Sequence, residues 1–306
     1  MPVVSIDNDL IQPFLIDAGA IRGRAVRLGP ALDVIMAGHD YPPAVAALLA
    51  ETLVLAAALA GALKFDGIFT LQIQADGAIP LIVADVTSAG DLRGYARFDA
   101  GKLATALAAG GAVVPGLIGK GYLAFTVDQG PDTDRYQGIV ELEGKTLAEC
   151  AHRYFEQSEQ LQTHLQAAVR APMGSDGWRG GAVMIQRMPL GQNSPIFTAE
   201  EADEAWNRAA ILTASVRDDE LLGPKVGVGA LLHRLYHAEG LHPHDPKPLA
   251  ANCRCSAERV AGTLKSFPRK EVESMRDDSG DVVVVCEFCK SRYVFANTDL
   301  DRLYQS

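Results

Sequence analysis

The sequence predicts an α+β protein: an antiparallel-sheet domain with packed helices, then a helical linker, then a small cysteine-rich module. Three observations lead there. Short runs with period-two alternation are joined by hairpin turn signals rather than by crossover helices. After Pro195 the strand pattern gives way to helical segments and then to a proline-rich turn. Four of the five cysteines fall between Cys253 and Cys289. The expected divisions are residues 1–195, 196–249 and 250–306. At 48% apolar and 22% charged, the 306-residue chain has ample material for a core and is not disordered as a whole.

In chain order, the N-terminus Met1 to Asp9 has no basic start and no apolar run, which excludes a secretory signal there and makes the reducing cytoplasm the expected compartment. Pro42 to Leu63 is almost wholly apolar and long enough to imitate a membrane span. Glu51 sits at its middle, where an acidic group costs roughly 2.5–3.5 kcal/mol on insertion scales and the many alanines offset little of it. A buried core helix is the better reading, so no membrane partner is expected.

Phe69, Leu71, Ile73 and Ala75 alternate with polar residues, and Asp76-Gly77 turns the chain into Ile79 to Val86, a hairpin with its signal in place. Leu92 to Phe98 alternates again. Tyr122 to Val127 and Tyr136 to Leu142 flank Gln129-Gly130-Pro131-Asp132 and make a second antiparallel pair. Thr146 to Gln157 reads as helix, followed by strands near His164 to Arg170 and Gly181 to Met188. Thr198 and Glu201 form a capping-box pair that opens a helix to about Val216. Val228 to Ala238 makes a second helix that stops at Gly240. His242 to Pro248 holds three prolines and can be neither helix nor central strand. Residues 196–249 carry 5 basic and 9 acidic side chains and little apolar mass, the profile of a connector.

Residues 250–306 are too few for a robust core; a scaffold below about 70–80 residues needs a staple. Cys253-Arg254-Cys255 and Cys286-Glu287-Phe288-Cys289 supply one. Two close cysteine pairs flanking a short segment are what a tetrahedral zinc site with four thiolates requires. An iron–sulfur cluster is the weaker alternative, since no ferredoxin spacing is present. Arg254, Arg259, Lys290 and Arg292 lie close in sequence and are expected to favour the thiolate form. In a domain this small, metal binding is also folding free energy, on the order of 10 kcal/mol. Oxidation of the ligands would therefore remove both metal and fold.

Other constellations carry less. The net charge of −10 and pI near 5.2 argue against nucleic acid, and residues 250–306, with 9 basic and 9 acidic side chains, lack a basic face. His233 and His237 share a helix face, but Arg234 stands where a zincin needs Glu, so capping or half-buried histidines are expected; His242 and His244 are expected exposed. Gly110 to Gly121 misses a Walker loop, with Val114 and Gly121 at the positions that need Gly and Ser or Thr. Cys150 reads as inert packing. No catalytic machinery is recognisable, so the chain does not read as an enzyme.

Taken together, Cys253-Arg254-Cys255-Ser256-Ala257-Glu258-Arg259-Val260, Cys286-Glu287-Phe288-Cys289 with Tyr293-Val294-Phe295, Tyr154 to Gln160 and Gly180 to Pro189 give the chain its resemblance. Tyr136 to Val140 and Gly119-Lys120-Gly121 support it. The chain resembles the redox-regulated heat-shock holdases of the heat shock protein 33 family over nearly its whole length. It departs from that pattern at Gln162, where Pro is usual, and at Asn252, where an aromatic often stands. The resemblance implies an ATP-independent chaperone that binds unfolding client proteins. It implies one zinc ion on Cys253, Cys255, Cys286 and Cys289 in a reduced, inactive monomer. Oxidation would pair Cys253 with Cys255 and Cys286 with Cys289, release zinc, unfold the linker and favour a homodimer. Two other readings stand beside it: a thiol-disulfide oxidoreductase using Cys286 and Cys289, and a scaffold with a purely structural zinc ribbon.

Overall fold

The computed structural model describes residues 8–16, 20–130, 133–155, 161–189 and 198–305. It has two compact units, Met1–Ala251 and Asn252–Ser306. The first opens with the antiparallel pair β1 (Leu10–Ile16) and β2 (Ile21–Leu28), then α1 (Pro30–Ala37) and α2 (Pro43–Ala62). The meander β3 (Ile68–Ala75), β4 (Leu81–Thr87) and β5 (Asp91–Arg97) follows, then α3 (Ala100–Ala109). Next come β6 (Gly121–Asp128), β7 (Tyr136–Glu141), α4 (Leu147–Tyr154), β8 (Thr163–Arg170) and β9 (Arg179–Arg187). The chain continues through α5 (Ala199–Ala214), α6 (Asp218–Leu222) and α7 (Val228–Tyr236) to three two-residue strands, β10 (His242–Pro243), β11 (Lys247–Pro248) and β12 (Ala250–Ala251).

The strands make two six-stranded sheets, one ordered β10-β1-β2-β9-β8 with β11 also on β1, the other β12-β5-β4-β3-β6-β7. The alternation that predicted hairpins sets their register: Phe69 faces Val86 and Tyr122 faces Glu141. The turn between β6 and β7 includes Pro131 and Asp132, and the expected helix end includes Glu156 and Gln157; these four lie outside the described residues, as do Met1–Asp7, Glu156–Gln160 of the family-like motif and Pro195.

Helix α2 is the buried core helix expected from its sequence. It is long and apolar enough to cross a membrane, yet most of it is buried, packed against strands of both sheets. Its leucines and alanines join the inner faces of the sheets in the larger core, with Phe69, Leu71, Ile73 and Phe125 among the sheet residues.

The other face of the first sheet is covered by the segment expected to be a connector. The capping box of Thr198 and Glu201 opens α5 as predicted. Alternation along β2 turns Ile21, Gly23, Ala25 and Arg27 toward this face. A second core forms here from Phe14, Ile16, Ile21, Ala25, Val183 and Ile185 of the sheet and Val216, Leu221, Leu222, Val228, Leu231, Leu232, Leu235 and Tyr236 of the segment. The Phe14 ring lies directly over Gly23, where a Cβ would meet it at 2.0 Å, and stacks on Tyr236 with ring centroids 5.4 Å apart. Tyr236 and Thr213 share a buried hydroxyl–hydroxyl hydrogen bond of 2.6 Å. Most of the segment's described apolar side chains are thus spent against the sheet, with Ile211 left exposed. Arg27, 2% exposed, donates to the carbonyls of Glu220 at 2.8 Å, Leu221 at 3.1 Å and Val226 at 2.7 Å. Past Gly240, the proline-rich run pairs with the outer edge of β1, an edge position being where proline is tolerated in a sheet.

The second unit contains α8 (Ala257–Lys265), α9 (Arg269–Glu273), the antiparallel hairpin β13 (Val282–Val285) and β14 (Arg292–Phe295), and α10 (Asn297–Gln305). Its buried core is Leu264, Val272, Val282, Phe295 and Leu300. Tyr304 ties α10 to α8 by donating to the Leu264 carbonyl at 2.8 Å.

Candidate metal centre

Each cysteine pair sits where local hydrogen bonds fix the backbone. Cys253 and Cys255 precede α8, whose N-cap Ser256 accepts the Arg259 amide at 3.2 Å, and the Arg259 guanidinium reaches back to the Arg254 carbonyl at 2.6 Å. Cys286 and Cys289 occupy the turn between β13 and β14. There the Cys286 amide donates to Ser291 O at 2.9 Å and the Lys290 amide to Cys286 O at 2.8 Å, with Lys290 in the left-handed region at φ 57°.

The four sulfurs converge. All lie within 4.8 Å of one another, with Cys253 Sγ 3.8 Å from Cys286 Sγ and Cys255 Sγ 3.3 Å from Cys289 Sγ. A tetrahedron with metal–sulfur bonds of about 2.3 Å has edges of about 3.8 Å, so the spacing fits one ion held by all four. A disulfide needs sulfurs about 2.05 Å apart, and none of the five cysteines is in one. An all-thiolate set suits zinc or iron–sulfur chemistry and not magnesium or calcium.

Two neighbours that sequence reasoning missed tune the sulfurs. Tyr293 donates its hydroxyl to Cys255 Sγ at 3.0 Å, and Cys289 Sγ donates to the Ser291 hydroxyl at 3.2 Å. Burial pushes the Cys255 thiol up to about 12 despite the tyrosine, with Cys289, Cys253 and Cys286 adding to the rise. Burial also raises Cys286. At Cys289 burial acts the same way but is outweighed by the hydroxyl and backbone of Ser291 and by the adjacent sulfurs, which bring it to about 6. The nearby cations do other work than expected: Lys290 pairs with Glu287 at 2.8 Å, Arg292 approaches Asp277 at 3.7 Å, and Arg259 serves the backbone. The signal for them was their place at the exit of the cysteine turn, Ser291 just before β14 and Tyr293 on it.

The remaining candidates lie elsewhere. Cys150 is fully buried in α4, its thiol pushed up to about 11 by burial and by Glu149. His233 and His237 are exposed and stacked 5.2 Å apart, and His237 Nδ1 lies 2.9 Å from the His233 carbonyl, which is the capping arrangement. His242 and His244 are exposed. Val114–Ile118 form a π-helical turn that runs into a strand, not a phosphate-cradling loop before a helix.

A family model described as Hsp33 protein matches residues 9–296. The chain belongs to the Hsp33 family. Its relatives include the 33 kDa chaperonin of Caulobacter vibrioides, 41% identical over 297 residues that cover 95% of this chain and 96% of that one. The 33 kDa chaperonin of Ectopseudomonas mendocina is 39% identical over 298 residues, covering 97% and 95%. Among solved structures, the 33 kDa chaperonin (heat shock protein 33 homolog) of Thermotoga maritima superposes with a TM-score of 0.78 over 97% of this chain and 98% of that one; at 23% identity it speaks for the fold. These relatives are named as chaperonins and not as enzymes. An Hsp33 chaperone with four cysteines poised to hold a metal ion is thus what fold and site jointly give.

Proposed function

We propose that this Hsp33 protein is a redox-regulated, ATP-independent holdase, inactive when reduced and metal-bound and activated by oxidation. The observation that carries the reading is the convergence of four sulfurs within 4.8 Å in a unit with only five buried core side chains among its described residues. Such a unit relies on its metal for fold. Zinc, held by Cys253, Cys255, Cys286 and Cys289, would supply a structural cross-link between the two cysteine pairs.

The switch uses peroxide-type oxidants. One thiolate attacks a peroxide oxygen and leaves as a sulfenic acid with release of hydroxide; the partner thiol then attacks that sulfur, a disulfide forms and water departs. Each pair gives up two electrons, and the peroxide is reduced to water. With Cys253 joined to Cys255 and Cys286 to Cys289, no thiolate remains to hold an ion. The second unit then loses order. The segment 196–249, whose apolar residues are mostly committed to the first sheet, becomes free to leave it and expose surface for unfolding clients. The protein acts in the cytoplasm, as a monomer when reduced and a homodimer when oxidised.

Light scattering from a thermally unfolding client, with thiol content and released zinc followed in parallel, tests this. Reduced protein should suppress little aggregation, and peroxide-plus-heat-treated protein should suppress it as zinc appears in solution. Negligible suppression in both states defeats the holdase reading. Zinc retained through oxidation favours a structural ribbon, and turnover in a disulfide-reductase assay favours an oxidoreductase.

A further inference from the structure

The molecule is acidic overall, yet one cleft of about 630 Å³ in the first unit is lined, among the described residues, by four cations and no carboxylate. Arg22 and Arg24 come from the α2-facing side of β2, Lys64 from the chain just past α2, and Lys247 from β11. The volume is that of a small-molecule site.

The arginines are placed at an electrostatic disadvantage. Alternation puts both on one face of the strand, half-buried, two residues apart. Burial disfavours the charge of each, and Arg22 further disfavours that of Arg24. Neither has a carboxylate partner among the described residues. Arg22 uses Nε on the Gln186 side chain at 3.0 Å, and Arg24 uses Nε and Nη1 on the carbonyls of Gly61 and Gly23, both at 2.6 Å. Both nitrogens of the Arg22 fork and Nη2 of Arg24 have no hydrogen-bond partner among the described residues. Lys64 and Lys247 are exposed and likewise unpaired there. Asp66, on the neighbouring loop, accepts from Ser88 Oγ at 3.0 Å. Unused guanidinium donors facing a shared space, with lysines at its rim, are the chemistry that recognises phosphate oxygens.

We propose that this cleft binds a small phosphate-bearing anion of the diphosphate class, and that its occupancy pins the end of the linker to the first unit. The second half follows from the lining: Lys247, Pro248 and Leu249 come from the end of the linker, while Arg22 and Arg24 come from β2 and Lys64 from the chain just past α2. Leu249 N–H donates to Asp9 O at 2.7 Å and Ala250 N–H to Gly90 O at 3.0 Å, so those two amides report whether the linker end is seated. An effect on chaperone activation would rest on the holdase reading above; binding and pinning do not.

Calorimetric titration of the reduced full-length protein with inorganic pyrophosphate, at ionic strength held constant with chloride, tests the site. Saturable binding at one per chain is expected, weakened at least about tenfold in the Lys64→Gln/Lys247→Gln double variant, whose exposed side chains hold no partner among the described residues. Arg22→Gln is expected to weaken it similarly. Heat that never saturates, or binding equal in all variants, overturns the site. A nucleoside diphosphate run alongside distinguishes a site for bare diphosphate from one that also takes a nucleoside, and saturation by either supports the proposal. Hydrogen exchange at Leu249 and Ala250 should slow at least about tenfold on saturation; unchanged exchange overturns the pinning. Neither readout involves a client or an oxidant, so failure of the holdase reading leaves both interpretable.

Discussion

Replacing Arg27 with methionine should loosen residues 218–236 from the first sheet without disturbing the rest of that unit. The side chain is 2% exposed and feeds three carbonyls of the docked segment, those of Glu220, Leu221 and Val226, over 2.7–3.1 Å. Methionine fills similar volume but donates nothing. Each bond to a charged donor is worth about 1.5–3 kcal/mol in deletion, and the carbonyls left behind are desolvated. The sum is not additive, because Glu220 and Leu221 sit in the short helix α6, whose carbonyls can turn toward water together. A loss of about 3 kcal/mol is the expected net, a factor on the order of 10² in the docked-to-undocked equilibrium. Hydrogen exchange reads this directly: amides such as Leu231, bonded to Gly227 O, should exchange on the order of 100-fold faster, while β3 amides paired with β6 hold their protection. The reduced variant should also suppress client aggregation without oxidant. Unchanged exchange across 218–236 would refute the view that Arg27 clamps the segment.

Three further outcomes follow from the geometry. Cys286→Ser removes one of the four donors, so bound metal should fall well below one per chain and residues 252–306 should lose NMR dispersion; a variant that keeps a full equivalent of metal contradicts the shared site. Glu51, half-buried in α2, has its carboxyl pushed from 4.5 up to about 7 by burial, although the Ala148 backbone offsets part of this. Its folded-state value lies above the unfolded one, so its favourable contribution is complete below about pH 4.5 and is lost as pH rises toward 7. Glu51→Gln should therefore raise the urea midpoint at pH 8, by at most about 3 kcal/mol equivalent, and change it little at pH 4.5; equal midpoints at pH 8 would contradict it. Cys150→Ala should lower stability by about 1 kcal/mol and leave peroxide activation intact, because that thiol is buried and pushed up to about 11; loss of activation would make it part of the switch.

What the sequence made legible is what local rules govern. Asp76-Gly77 between alternating runs marked a hairpin, although its loop runs on to Pro80 and β4 starts at Leu81, two residues later than expected, and Thr198 with Glu201 marked a helix start. The cysteine spacing likewise placed four sulfurs together, since each pair rides on a single turn. The docking of 196–249 was not legible, because Leu231, Leu235 and Tyr236 acquire a burial partner only through Phe14, Ile21 and Val183, far away in the chain. Local spacing of Arg259, Lys290 and Arg292 misdirected for the same reason: each cation's partner is chosen by three-dimensional geometry, as Arg292 finds Asp277. Tyr293 and Ser291 reach the sulfurs through the bend of a hairpin, which no periodicity encodes.

The ten residues from His242 to Ala251 have a consequence for both sheets at once. β10 and β11 lie along the open side of β1, and β12 lies along the open side of β5. One short run of chain thus works as an edge guard for two sheets, and half of the guard is proline-rich, unable to recruit a further strand of its own. Lifting it would bare two rows of backbone N–H and C=O groups, a template to which any extended polypeptide can add by main-chain pairing regardless of its side chains. A chaperone that must hold many different unfolded chains has use for such indifference to sequence.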